Sequence, residues 1–259
     1  MNRSFATARM SGAHGDAVVF VHGVGSTAAI WDSQLAALGD AFRCFAIELR
    51  GNGVPKPEPD PSLISREGYV DDVLAVADAT GSDRFHFVGC SLGGVVGFEL
   101  WRRAPQRLLS FTFVGSFAWY PDAPSYVQSV IASVQAAGTM ENFARERAKR
   151  LGLPPGARAD ETIAQMACKS VASYIAATRA TWTGDYRGLP ATIAVPTLVV
   201  CGERDTVAPI SFSREIAQAI PGARLEILSG AGHVANADAP EQFNQLLTAF
   251  FSTIRSAPA

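Results

Sequence analysis

Short continuous apolar runs recur towards both ends of the chain, separated by stretches whose apolar residues fall at helical spacing. Residues 17–21 (AVVFV), 42–49 (FRCFAIEL), 85–88 (FHFV), 108–114 (LLSFTFV), 197–201 (TLVVC) and 224–228 (RLEIL) are such runs, and 5–10 is a further candidate. A strand covered on both faces has no solvent side to alternate with, so these runs predict strands of a central parallel sheet. Between them, 28–38 places Ile30, Trp31, Leu35 and Leu38 on one face, and Ser65 caps a helix that reaches about Thr80. Near the C-terminus Phe243, Leu246, Leu247, Phe250, Phe251 and Ile254 form an i, i+3, i+4 stripe of a helix packed on the sheet. Four prolines make 55–61 a loop. Strand alternating with helix at this spacing predicts the α/β class, with a mostly parallel sheet, right-handed crossovers and helices on both faces.

The rhythm breaks between 117 and 189. No strand-like run occurs there; helical stretches at 126–137, 140–151 and 159–182 follow one another, rich in Ala and Arg. This predicts a helical cap, residues 117–189, inserted into a core domain made of 1–116 and 190–259. Both its ends leave the sheet edge that carries the post-strand loops, where sites of parallel α/β sheets form, so the cap is expected to cover that edge.

At 84–101 the sequence RFHFVGCSLGGVVGFELW reads strand, sharp turn, helix. Its centre, Gly89-Cys90-Ser91-Leu92-Gly93, matches Gly-Xaa-Ser-Xaa-Gly in the setting such an elbow requires. Glycines two positions either side let neighbouring chain pass close to a strained central residue, leaving Ser91 at the strand tip with a helix N-terminus behind it. A serine hydroxyl needs a base, usually a histidine oriented by a carboxylate. Of four histidines, His233 lies in a glycine-rich loop after the last strand, on the same edge as Ser91. Asp205 follows the preceding strand and can reach round to the imidazole; Glu203 is its rival. The order Ser, Asp, His is that of α/β-hydrolases. Two backbone amides, on Leu92 and on Val24 in the loop after strand 17–21, are the expected oxyanion donors. Cys90 alternates away from the hydroxyl side and is set aside as nucleophile.

Composition narrows the setting. The chain has 259 residues, 48% of them hydrophobic, enough for one large domain with an insertion. A formal net charge of −2 without charge runs offers no footprint for nucleic acid or an anionic membrane. The first residues lack a signal-peptide apolar region and no apolar run reaches membrane-span length, so a soluble cytoplasmic protein is expected. Cys44, Cys90, Cys168 and Cys201 form no Cys-Xaa-Xaa-Cys pair and are expected as reduced thiols, three of them beside apolar runs.

The HGVGS, ELRGNG, GCSLGG, GERDTVAP and GAGH motifs resemble the α/β-hydrolase superfamily over essentially the whole chain. PTLVVCGERD, SREIAQAIPGAR and GHVANADAPEQF are most similar to 3-oxoadipate enol-lactonases. That resemblance implies a carboxylic-ester hydrolase that opens a small-molecule ester or lactone through an acyl-enzyme, with Ser91, Asp205 and His233 as triad and no cofactor or metal. The chain departs from those lactonases in carrying His22-Gly23-Val24 for an Asn-Ser-Leu type loop, and Glu48 where most of the superfamily has Asp. Carbon–carbon bond hydrolysis of ring-cleavage products, in a group that commonly has Trp where this chain has Val234, is an alternative. So are cofactor-free haloperoxidase or perhydrolase activity and a non-catalytic ligand receptor. Cap aromatics Phe117, Trp119, Tyr120 and Trp182 are expected to contact substrate, and Arg145, Arg147, Arg179 and Arg187 are candidates to meet a substrate carboxylate.

Overall fold

The computed structural model describes residues 7–52 and 59–254. Seven strands, β1 (Thr7–Ser11), β2 (Ala17–Val21), β3 (Arg43–Glu48), β4 (Phe85–Cys90), β5 (Leu108–Val114), β6 (Thr197–Gly202) and β7 (Arg224–Leu228), form one sheet. Their order is β1-β3-β2-β4-β5-β6-β7. Only β1 runs antiparallel, against β3; the other pairings are parallel. The first strand is described from Thr7 and runs to Ser11, one residue beyond the expected end; Phe5 and Ala6 of the expected strand lie outside the described residues. So does most of the proline loop, of which Pro61–Leu63 is a short 3-10 turn.

The apolar runs conceal a period of two. Val19, Val21, Phe45, Ile47, Phe85, Phe87, Phe111 and Phe113 pack on one face of the sheet with Val73, Phe98 and Ile216. Val18, Phe20, Cys44, Val88, Val114 and Val200 pack on the other with Leu35, Phe243, Leu247 and Phe250. The second face is covered by α1 (Asp32–Leu38) and the C-terminal helix; the first is covered by α2 (Arg66–Ala79), α3 (Leu92–Arg103) and the helix between β6 and β7. Ser65 caps α2 by accepting a hydrogen bond from the Gly68 amide at 3.1 Å.

From β2 the chain crosses to β3 on one side and then returns to place β4 on the other. This reversal leaves a crevice at the carboxyl ends of β2 and β4, the usual ligand position in open α/β sheets.

Four helices, α4 (Ala123–Ala137), α5 (Met140–Arg150), α6 (Ala157–Ala167) and α7 (Val171–Trp182), fill the segment between β5 and β6. The single helix expected over 159–182 is therefore two. Lys169 is buried in the break and its ammonium donates to the Asn52 carbonyl; Ser170 then caps α7, accepting from the Ser173 amide at 3.1 Å. A tertiary contact and a capping hydroxyl override the helical propensity of the surrounding alanines. After β6 come α8 (Ile210–Ala219), α9 (Ala235–Asp238) and α10 (Pro240–Ser252). Among the described residues no helix is long and apolar enough to cross a membrane. All four cysteines are free thiols, Cys44, Cys90 and Cys201 buried and Cys168 exposed.

Candidate active site

Ser91 sits between β4 and α3 with φ 52° and ψ −112°, a conformation that L-residues avoid. The surroundings enforce it. The Ser91 amide donates to the Val114 carbonyl at 2.9 Å, and the Ser116 hydroxyl donates to the Ser91 carbonyl at 2.9 Å. A methyl on Gly93 would lie 2.1 Å from the Val21 carbonyl oxygen, and one on Gly89 2.4 Å from Gly93 itself. Only glycine permits that approach.

His233 follows β7 and Asp205 follows β6, and the sheet brings them together: the His233 Nδ1 group donates to Asp205 Oδ2 at 2.8 Å. The other carboxylate oxygen, Oδ1, accepts from the amides of Val207 and Ala208 at 2.8 and 2.9 Å. With its carboxylate fully buried and both oxygens engaged, Asp205 fixes the ring with Nε2 left for the cavity. Glu203 points elsewhere, accepting from the Ser229 hydroxyl and the Gly230 amide on the surface.

Ser91 and His233 line one small cavity of about 30 Å3 together with Gly23, Val24 and Gly25. The turn over Val24 is closed by Ser26 N–H donating to the Gly23 carbonyl at 3.2 Å. Leu92 is the first residue of α3, so its amide has no partner one turn back along the helix. Behind the turn His22 is fully buried, with Nδ1 2.8 Å from the Gly23 carbonyl and Nε2 accepting from Leu49 N–H at 3.3 Å. Glu48 accepts from the Ala28 amide at 3.0 Å, anchoring the same loop. His22 is thus a structural support, which its place at the head of a loop did not announce. Cys90 is buried, and burial pushes its thiol pKa up, away from thiolate chemistry.

Arg147, Leu151, Arg158, Thr162 and Met166 from the insertion line the rest of that cavity. The expected aromatics do not. Phe117 and Trp182 are buried against each other, stacked with centroids 4.8 Å apart, and Tyr120 packs edge-on to Trp182; Trp119 lies under the Arg187 guanidinium at 4.7 Å. Phe117 and Tyr120 also pack on Phe212 of α8, and none of the four lines the Ser91 cavity. Of the expected arginines Arg147 reaches the cavity, whereas Arg145 pairs with Glu141 and Arg187 with Asp185 on the surface.

Gly115, just after β5, escaped the sequence reading. It has φ 52°, and a methyl there would lie 2.9 Å from Asp205 Oδ2, 2.8 Å from the His233 carbonyl oxygen and 3.3 Å from His233 Nδ1. A glycine closing an apolar strand on the site edge was the available signal.

A model of the alpha/beta hydrolase family matches residues 18–246. The chain belongs to the alpha/beta hydrolase family. Among curated members of that family, the 3-oxoadipate enol-lactonase 1 of Acinetobacter baylyi is 28% identical over 92% of this chain and 90% of its own. A Variovorax paradoxus protein named "Putative carbamate hydrolase RutD" is 30% identical over 95% of each. Of solved alpha/beta structures, a hydrolase from Pseudomonas aeruginosa superposes with a TM-score of 0.86 at 30% identity, covering 95% of this chain and 94% of that one. The enol-lactonase from Burkholderia xenovorans has a TM-score of 0.83 at 24% identity over 95% and 96%, a likeness of fold.

Proposed function

We propose that this alpha/beta hydrolase is a cofactor-free serine esterase or lactonase, with Ser91 as nucleophile, His233 as base and Asp205 as its orienting acid. The observation that carries the reading is the Asp205–His233 hydrogen bond at 2.8 Å beside a cavity that also holds the strained Ser91. His233 Nε2 takes the Ser91 proton as Oγ attacks the acyl carbon, then returns it to the departing alkoxide, or to the ring oxygen of a lactone. Water deacylates the serine by the same route in reverse. The amides of Leu92 and Val24 receive the oxyanion; each such donor contributes on the order of 10²–10³ in turnover. Residues 117–189 act as the cap that closes the site.

The 30% identity to a protein named as a carbamate hydrolase favours including carbamates, whose cleavage is the same acyl transfer to Ser91. The test is a panel of 4-nitrophenyl esters, five-membered lactones, an enol-lactone and a carbamate, run beside active-site labelling with a fluorophosphonate. Stoichiometric labelling at Ser91 with ester or lactone turnover supports the reading. Ligand binding without labelling favours a receptor, and peroxide-dependent bromination a haloperoxidase.

A further inference from the structure

Outside the Ser91 cavity lies a much larger one, about 570 Å3, between the 151–154 turn and the loops after β6 and β7. A narrow space of about 20 Å3, lined by His233, Val234 and Asp238, shares lining residues with both. Leu151 and Arg158 line all three, so the three spaces adjoin one another along the His233 side of Ser91. The outer cavity carries Arg150, Arg158 and Arg204 against a single lining carboxylate, Asp238. In a chain of formal net charge −2, that concentration of cations is local.

Arg158 stands at the neck with its bonding capacity partly unused. Nη1 donates to the Thr162 hydroxyl at 3.1 Å. Nε is buried and makes no hydrogen bond among the described residues; it is paired with Asp238 Oδ1 only at 3.5 Å. Asp238 spends its other oxygen on the Gly232 amide at 3.0 Å. A guanidinium offers five donors in a fork that fits a carboxylate, and burial without a partner is costly. We propose that these adjoining spaces form a passage from solvent to Ser91 that selects substrates bearing a carboxylate, and that Arg158 is the specificity-determining residue that receives it, exchanging its loose pairing with Asp238 for a closer one with substrate. Arg150 and Arg204, both exposed at the mouth, draw the anion in. For turnover this rests on the Ser91 reading; for binding it stands alone.

The experiment uses the full chain in two arms. Calorimetry compares monomethyl glutarate with dimethyl glutarate, and kinetics compares 4-nitrophenyl hemiglutarate with its methyl ester. The wild type is expected to favour the acid in both arms by about 10- to 100-fold, the scale of one charge-assisted pair. Arg158→Gln should bring both ratios near one and Arg158→Lys should keep part of the preference. Should Arg158→Gln not fold, Arg204→Gln reads the same passage, with a preference lowered about threefold and a weaker dependence on salt. Equal binding of acid and diester by the wild type overturns the anion passage, as does an undiminished ratio in both the Arg158 and Arg204 variants. Acid-selective binding without turnover of either nitrophenyl ester overturns the hydrolase reading and leaves the anion site standing.

Discussion

Replacing Gly115 by alanine tests whether the Asp205–His233 pair is held by the end of β5. Two penalties are separable there. The first is conformational: φ 52° is open to glycine and costs an alanine about 1–3 kcal/mol. The second is steric. The added methyl would sit 2.9 Å from Asp205 Oδ2 and 2.8 Å from the His233 carbonyl, so both must retreat by about 0.5 Å to reach ordinary van der Waals separation. A retreat of that size stretches the 2.8 Å hydrogen bond and turns the imidazole relative to Ser91; misplacements near 1 Å cost on the order of 10²-fold in rate. Gly115→Ala is thus expected to lower kcat on a 4-nitrophenyl ester roughly 10- to 100-fold. Its Tm should fall by about 4–8 °C, the equivalent of about 2 kcal/mol in a domain of this size.

Gly222→Ala supplies the control. Gly222 has φ 73° with no atom within 4 Å of a methyl, so it bears the backbone cost without the clash and should lose Tm but not turnover. Steady-state kinetics and thermal melts of the two variants decide. A Gly115→Ala protein that turns over at the wild-type rate would refute the reasoning, and so would equal losses of activity in both variants.

Four further outcomes are expected. Ser91→Ala should reduce ester turnover by about 10⁴–10⁶ with little change in Tm, and stoichiometric fluorophosphonate labelling of that variant would remove Ser91 as nucleophile. Asp205→Asn should cost about 10⁴ in kcat by holding the wrong imidazole tautomer, while Glu203→Gln, a change on the surface, should cost little; a reversal in the kinetics would reassign the acid. Trp182→Ala, which empties the stack on Phe117, should destabilise the fold by about 3–5 kcal/mol in urea unfolding, and a loss below about 1 kcal/mol would contradict the packing described. For His86, burial pushes the pKa down from 6.5 to about 4, Asp16 opposing; as pH falls from about 6.5 the unfolded chain takes up a proton that the native one refuses until about 4. Stability should therefore drop over that window by up to about 3 kcal/mol, and a His86→Gln variant with the same slope between pH 7 and 4.5 in urea unfolding would exclude His86 as its source.

What was legible in the sequence is what short-range chemistry dictates. β2 and β5 match their apolar runs end to end, because each run is bounded in sequence by polar or glycine residues, Asp16 and His22 for β2, Arg107 and Gly115 for β5. Asp205 and His233 could be paired from the chain alone, since parallel strands deliver the loops that follow them to one edge. The failures share another physical origin. Over 159–182 the alanine-rich sequence favours helix throughout, and it is a buried ammonium reaching Asn52, 117 residues away, that ends α6. Phe117, Tyr120 and Trp182 carry the same apolar signal whether they face a ligand or the core; partner identity, which local pattern does not encode, settled them against each other. Arg158 reads like any other arginine in an Arg-rich segment, and its Nε is singled out only once Asp238, from the far end of the chain, lies beside it.

The way the insertion is fastened bears on how substrate enters. Tyr186 donates to the buried Glu99 carboxylate on α3 at 3.0 Å, Arg66 on α2 donates to the Ala180 carbonyl at 3.0 Å, and Lys169 donates to Asn52. The Thr27 amide donates to Gln165 at 3.2 Å, and a methyl on Gly25 would lie 2.6 Å from the end of Met166, so α6 rests closely on the loop after β2. Each of these contacts is a hydrogen bond or a tight apolar approach. On the His233 side the polar link among the described residues is Arg158 to Asp238 at 3.5 Å, flanked by the 151–156 turn with its two glycines and two prolines and by the 570 Å3 cavity. Lifting the insertion along the α3 or Asn52 side breaks several buried hydrogen bonds at once, each at about 1–3 kcal/mol for the group left unpaired. Parting Arg158 from Asp238 breaks none between them. The path of least cost to Ser91 therefore runs past His233, where an entering anion meets a contact that its own charge can replace.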